Sequence, residues 1–280
     1  MTTTKVKTFL KGKDKGFIGK GINWWFNPNF KDSFSIFDLD SFYQNDYFSY
    51  KPADPKTIKN NVNTILKYGK VFLGKDVKSV LEIGSGGGWF TKEFIKNNIE
   101  VTAVEGSSIG FKKTKQVIGG SKNSIAIKHD LRLTLNLNKK FDIVVCTEVA
   151  EHIEPPFSGQ LVQNLTNYSK LVWFSFEKPM TNEQHYHHPN EQPEKFWRKL
   201  FEFYDFKMVR LSDEISKKLA YRGGYIFYHK SLKVPEDFKQ SKNSDHKLKN
   251  YPPGLKSYLG FFLKKMSEKI NYLANKILYS

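Results

Sequence analysis

At 280 residues, with 39% hydrophobic and 15% aromatic side chains, the chain can bury one substantial core and an appended subdomain, which excludes a disordered polymer. Its single cysteine, Cys146, excludes a disulfide framework and suits a reducing compartment. The formal charge of +17 favours polyanions or anionic membranes as partners, although lysine-rich composition can also be a bias of a whole proteome.

Met1–Lys5 lacks the apolar core of a signal peptide, and no run approaches the length that spans a bilayer. A cytoplasmic location is expected, with peripheral membrane contact as a variant of it. Residues 1–55 carry little periodicity but are dense in rings, among them Trp24, Trp25, Phe26, Phe42, Tyr43 and Tyr47, and are punctuated by Gly12, Gly16, Pro28 and Pro52. They read as a loop-rich segment packing its rings on the following domain. They also read as a cap whose rings stack on a sugar or base, and the two readings are compatible. Thr57–Phe72 then shows broadly helical apolar spacing through Ile58, Val62, Ile65, Leu66 and Phe72.

The central stretch is Ser79–Ile83 followed by Gly84-Ser85-Gly86-Gly87-Gly88 and Trp89. A short apolar strand breaks into four glycines, and Trp89–Asn97 follows with helical spacing. Strand, glycine turn and helix open a nucleotide-binding βαβ unit. The glycines permit backbone angles that a Cβ forbids, and let a ligand lie against the main chain at the helix N-terminus. A second strand, Glu100–Glu105, ends in an acid about twenty residues past the turn, where such folds bind ribose hydroxyls. A third, Ser124–Lys128, leads to Asp130-Leu131. A fourth, Phe141–Cys146, ends at Thr147-Glu148.

Glu82-x-Gly84-x-Gly86-x-Gly88, Glu105, Asp130 and Phe141-Asp142-Ile143-Val144 resemble the motif series of class I S-adenosylmethionine-dependent methyltransferases over roughly residues 56–230. The glycines fall at alternate positions, unlike the Gly-x-Gly-x-x-Gly turn usual in dehydrogenases. The resemblance implies an α/β fold with a Rossmann-like, seven-stranded, mostly parallel sheet and helices on both faces. It implies S-adenosylmethionine as cofactor, with Glu105 on its ribose and Asp130 near its adenine. Glu82, Gly84, Ser85, Gly86, Gly88, Trp89, Gly106, Leu131 and Thr147 complete the expected cofactor site. A non-catalytic protein that kept the turn is the bland alternative.

After the fourth strand comes Glu148-Val149-Ala150-Glu151-His152. Two carboxylates and an imidazole so closely spaced can converge on one divalent cation, given a turn or helix start. Glu-x-x-Glu-His resembles the metal-binding set of small-RNA terminal 2′-O-methyltransferases and of ubiquinone-pathway O-methyltransferases. Many class I methyltransferases carry Glu-His here without metal. A fifth strand, Lys170–Phe176, leads to a loop holding His185, His187 and His188. His188-Pro189-Asn190-Glu191-Gln192-Pro193-x-x-Phe196-Trp197 also resembles a segment of sugar O-methyltransferases. The expected metal set is Glu148, Glu151, His152 and His187 or His188, holding Mg²⁺ or Mn²⁺. Glu151, His152 and His185 are the catalytic candidates. A metal-free variant would use His152 or His185 as base, and an ordinary polar surface loop is the bland reading of the histidines.

Pro193–Phe203 reads as a helix and Phe206–Arg210 and Gly224–His229 as two final strands, with a short helix opening at Ser212; the family resemblance implies that the final pair forms an antiparallel edge. Ser231–Pro253 is a polar, lysine-rich linker. Leu255, Leu259, Phe262, Met266, Ile270, Leu273 and Ile277 then recur at helical intervals among lysines, an amphipathic helix. It would dock on the domain or a partner chain, or lie on anionic membrane. Three segments follow: 1–55, an aromatic cap; 56–230, the methyltransferase domain; 231–280, the basic linker and helix. The expected reaction is O-methylation of a sugar or glycan hydroxyl. RNA ribose methylation, quinone-ring methylation and a non-enzymatic cofactor-binding scaffold are the rivals. Nucleic acid is the weaker partner, because no recognition motif accompanies the charge.

Overall fold

The computed structural model describes residues 39–43, 54–177, 188–212, 215, 219 and 224–233. Most of the aromatic N-terminal segment, His185, His187, the expected helix after Ser212 (apart from Ile215) and the C-terminal amphipathic helix lie outside these residues. All described residues belong to the first of the two units into which the chain divides, Met1–Phe238 and Lys239–Ser280.

Seven strands form one sheet: β1 (Ser79–Ile83), β2 (Glu100–Glu105), β3 (Ile125–Lys128), β4 (Ile143–Thr147), β5 (Leu171–Ser175), β6 (Phe206–Arg210) and β7 (Tyr225–His229). Their spatial order is β3-β2-β1-β4-β5-β7-β6. The first five are parallel, and β7 inserts antiparallel between β5 and β6. β1, β4 and β5 are apolar runs rather than alternating patterns because both faces of a central parallel strand are covered. Val80, Val101, Val145 and Trp173 face one core with Val62, Ile65, Phe90 and Phe94. Leu81, Val104, Val144 and Phe174 face the other with Leu161, Leu165, Trp197 and Phe201.

The helices are α1 (Leu39–Phe42), α2 (Pro55–Leu73), α3 (Trp89–Lys96), α4 (Ser108–Ile118), α5 (Ser158–Thr166) and α6 (Glu194–Phe203). α2 starts with Pro55, whose missing N–H needs no partner there, and stops at left-handed Gly74, whose N–H donates to Lys70 O. α4 is capped by Ser107, whose Oγ accepts from the Gly110 N–H. No helix among the described residues is long and apolar enough to cross a membrane.

Asp142 sits at the amino end of the sheet. Its Oδ2 accepts from the Lys78 and Ser79 N–H groups at 2.8 and 3.0 Å, tying the start of β4 to the start of β1. This acid of the Phe-Asp-Ile-Val motif therefore sets strand register, and every other motif acid lies at the carboxyl end.

Candidate active site

The carboxyl ends of β1, β2 and β4 face one crevice, where open α/β sheets hold their ligands. Gly84, Gly86 and Gly88 all adopt positive φ, at 73°, 54° and 76°. The turn is pinned from three sides. Gly86 N–H donates to Glu105 Oε2 at 2.8 Å, Thr114 Oγ1 donates to Gly86 O at 3.1 Å, and Ser85 Oγ pairs with Thr114 Oγ1 at 3.0 Å. Trp89 stands 41% exposed at the helix start. Glu105 also accepts from Ser107 N–H and Oγ at 2.8 and 2.9 Å, so its carboxylate joins the turn to the end of β2. Burial raises its pKa, and those donors offset the rise only in part.

Beneath the turn, Glu82 is buried, and Thr91 Oγ1 donates to its carboxylate. Burial pushes Glu82 up to about 8; the Thr91 bond opposes the shift and the Glu105 charge adds to it. Between pH 4.5 and 8 the folded chain keeps this proton and the unfolded chain releases it. The neutral acid's contribution is therefore complete below pH 4.5 and lost as pH rises through 8. Glu82→Gln should flatten this slope, narrowing the melting-temperature gap between pH 5.5 and 8 by about 5–10 °C, at about 2–4 °C per kcal/mol. Parallel slopes in thermal scans of the two proteins would refute it.

Past β3, Asp130 does not face the crevice with an open carboxylate. Arg132 grips it through Nε and a terminal nitrogen at 2.9 and 2.7 Å, and donates to Glu154 Oε1 at 3.0 Å. Leu131 is core. At the end of β4, Thr147 Oγ1 is buried and makes no hydrogen bond among the described residues.

Glu148 has φ 53°, a rare value for a residue with a Cβ. Ser175, its neighbour on β5, donates from Oγ to Glu148 Oε1 at 2.7 Å. A 3₁₀ turn, Ala150–His152, follows. It brings Glu151 and His152 beside His188, with one ligand atom from each lying within 4.8 Å of the others. The two imidazoles meet edge to face at 4.7 Å between centroids. Glu151 is 1% exposed, and its Oε2 makes no hydrogen bond among the described residues. Burial and then the Glu148 charge push its pKa well above the carboxylate range. Glu148 is not in the cluster, and His185 and His187 lie outside the described residues. Cys146, also expected to be buried, has its thiol pushed up by burial and by Glu151 and Glu148, which leaves it no nucleophilic role.

A segment upstream of the domain reaches the same crevice. Leu39 lies over Gly106, where an added Cβ would stand 2.7 Å from Leu39 Cδ1. Asp40 accepts from Ser108 N–H and Oγ at 2.5 and 2.6 Å and from Lys128 Nζ at 3.2 Å. The Tyr43 ring stands edge-on to His152 at 6.2 Å. This is the described part of the expected aromatic cap. Sequence reasoning gave no role to Arg132, Glu154 or Asn190, although Asn190 falls within the segment that starts at His188.

Residues 53–211 match a family model described as a methyltransferase domain. A mitochondrial ubiquinone biosynthesis O-methyltransferase of Schizosaccharomyces pombe is 31% identical over 103 residues; the match spans 34% of this chain and 36% of that protein. Among solved structures, DesVI of Streptomyces venezuelae superposes with a TM-score of 0.53 at 13% identity, over 62% of this chain and 92% of its own. An amino pentose methyltransferase of calicheamicin biosynthesis from Micromonospora echinaspora, solved with S-adenosylmethionine bound, gives 0.51 at 11%, over 67% and 98%. A sugar N-methyltransferase from a Streptoalloteichus species gives 0.53 at 10%, over 65% and 91%.

Proposed function

Since the chain belongs to the methyltransferase-domain family, we propose that it transfers a methyl group to a sugar hydroxyl with the help of a divalent cation. The chain is an S-adenosylmethionine-dependent methyltransferase of the class I fold. The observation that carries the finer reading is the convergence of Glu151, His152 and His188, with a buried carboxylate oxygen in want of a partner. That donor set of one carboxylate and two imidazoles suits a divalent transition ion such as Mn²⁺ better than oxygen-seeking Mg²⁺, and leaves positions for an acceptor. The sugar reading draws on the sugar methyltransferases among the structural neighbours and on the ring-bearing cap.

Methyl transfer from a sulfonium is an in-line displacement: the acceptor oxygen forms its bond to carbon as the sulfur leaves with the electron pair. Catalysis is then mostly placement. The glycine turn and Glu105 would hold the cofactor, with the Glu105 carboxylate accepting from a ribose hydroxyl, and Thr147, at the end of β4, would lie beside it. An aliphatic hydroxyl is a poor nucleophile, and a bound cation supplies Lewis acidity that lowers its pKa. His185 then takes the proton, or His152 does so where no cation is held.

Calorimetric titration of S-adenosylmethionine and of Mn²⁺ tests this, on wild type and on Glu151→Ala/His152→Ala. Wild type should bind both, and the double variant should lose the Mn²⁺ heat while keeping the cofactor. A wild type that binds cofactor but no Mn²⁺ retires the cation and leaves a histidine base. The Schizosaccharomyces relative, a ubiquinone biosynthesis O-methyltransferase, favours a second reading, a quinone-pathway ring as acceptor. Turnover on such a ring, with none on diol-bearing sugars, would replace the sugar.

A further inference from the structure

We infer that Glu191 is a positioning residue for His188, holding the imidazole by Nδ1 so that Nε2 is the nitrogen turned to Glu151 and His152. This deepens the metal-assisted reading and rests on it for its purpose, though not for its geometry. Glu191 Oε1 lies 3.2 Å from His188 Nδ1, and both side chains are only 11% exposed. A pair three residues apart is ordinarily a solvated contact on a helix surface, but this one sits in a loop before α6 and is largely withdrawn from water.

Other bonds already fold that loop. Asn190, 1% exposed, donates its N–H to Glu151 O at 3.1 Å. Its Nδ2 donates to Ala150 O at 3.3 Å and to Ser158 Oγ at 2.9 Å. Gln192 Nε2 in turn donates to Asn190 Oδ1 at 3.0 Å. Two of these bonds fasten Asn190 to the 3₁₀ turn that carries Glu151 and His152, one ties it to the start of α5, and the Gln192 bond braces the loop internally. Backbone placement is thus set by Asn190, and what Glu191 adds is the orientation and tautomer of one ring. A neutral imidazole with Nδ1–H directed at a carboxylate keeps its lone pair on Nε2, the form that binds a cation or accepts a proton. Without the carboxylate, Nδ1 loses the acceptor that selects this tautomer.

The test uses the full chain with ¹⁵N-labelled histidine, without added metal, at about pH 8 where imidazole is neutral. Long-range ¹H–¹⁵N spectra report the tautomer, with His188→Gln assigning the signal. Wild type should show His188 protonated on Nδ1. Glu191→Ala should shift it to Nε2–H or to a mixture, and Glu191→Gln, whose amide oxygen still accepts, should restore Nδ1–H. A wild-type ring protonated on Nε2, or a tautomer unchanged in Glu191→Ala, overturns the proposal. Mn²⁺ titration of the same proteins should show affinity about 10- to 100-fold lower for Glu191→Ala. Cofactor affinity should not change. If wild type fails to bind Mn²⁺ the cation reading falls, and the tautomer result still decides the role of Glu191.

Discussion

Arg132→Met is expected to cost the fold about 3–5 kcal/mol, the penalty typical of removing one partner from a buried charge cluster. The Arg132 side chain is 1% exposed and lies between Asp130 at 8% and Glu154 at 1%. Burial alone would lower the guanidinium pKa. Glu154 first, and then Asp130, more than reverse that and keep it charged. Methionine matches much of the volume but leaves two carboxylates under cover without their cation. Urea denaturation measures the loss. Adding Glu154→Gln to Arg132→Met should recover part of it, because one stranded charge disappears, and that non-additivity is the mark of a coupled cluster. A single variant within 1 kcal/mol of wild type would mean that water reaches the cluster. The cluster also has a position that matters: Asp130 follows β3 on the proposed adenine side, and Glu154 follows the 3₁₀ turn of Glu151 and His152. Arg132 therefore ties the loop after β3 to the loop that follows the 3₁₀ turn.

None of that was legible in the chain, and the reason is physical. Arg132 follows Asp130-Leu131 as any polar loop residue would, and its second partner is 22 residues away with nothing local to announce the pairing. The sheet was legible because central parallel strands are buried on both faces, so Ser79–Ile83, Ile143–Thr147 and Leu171–Ser175 stand out as apolar runs. The antiparallel final pair followed from the family resemblance rather than from the residues. At the site, Glu-x-x-Glu-His named Glu148, Glu151 and His152 together, and the structure separates Glu148 from the other two. Helical spacing would put residues 148, 151 and 152 on one face. The chain instead takes φ 53° at Glu148 and a 3₁₀ turn, and Glu148 bonds Ser175 while Glu151 and His152 meet His188. Asp130 was expected beside adenine, and its carboxylate proves to be held by Arg132. Spacing alone did not choose between His187 and His188; His187 lies outside the described residues, and the bonds of Asn190 and Glu191 place His188 beside Glu151 and His152.

Gly84→Ala should weaken S-adenosylmethionine binding by about 10- to 100-fold and destabilise the fold by about 2–5 kcal/mol, and the two losses share one cause. The left-handed backbone at φ 73° costs a residue with a Cβ about 1–2 kcal/mol. Overpacking adds about 1–3 kcal/mol, because the new methyl would stand 2.3 Å from Val149 Cγ2. Val149 cannot swing clear as a long flexible chain would. Its Cγ1 and Cβ also lie within 3.3 Å of the new carbon, and it packs in the core between Glu148 and the 3₁₀ turn. Relief must come from moving either the glycine turn, which cradles the cofactor, or the loop that carries Glu151. Gly74→Ala is the matched control: φ is 67°, with nothing within 4 Å of the added carbon, at the end of α2. It should show the backbone penalty alone and leave cofactor affinity intact. Equal losses in the two variants, by thermal melting and cofactor calorimetry, would refute the Val149 contact as the cause. A larger loss at Gly84 in both measurements would mean that the turn and the loop move as one body.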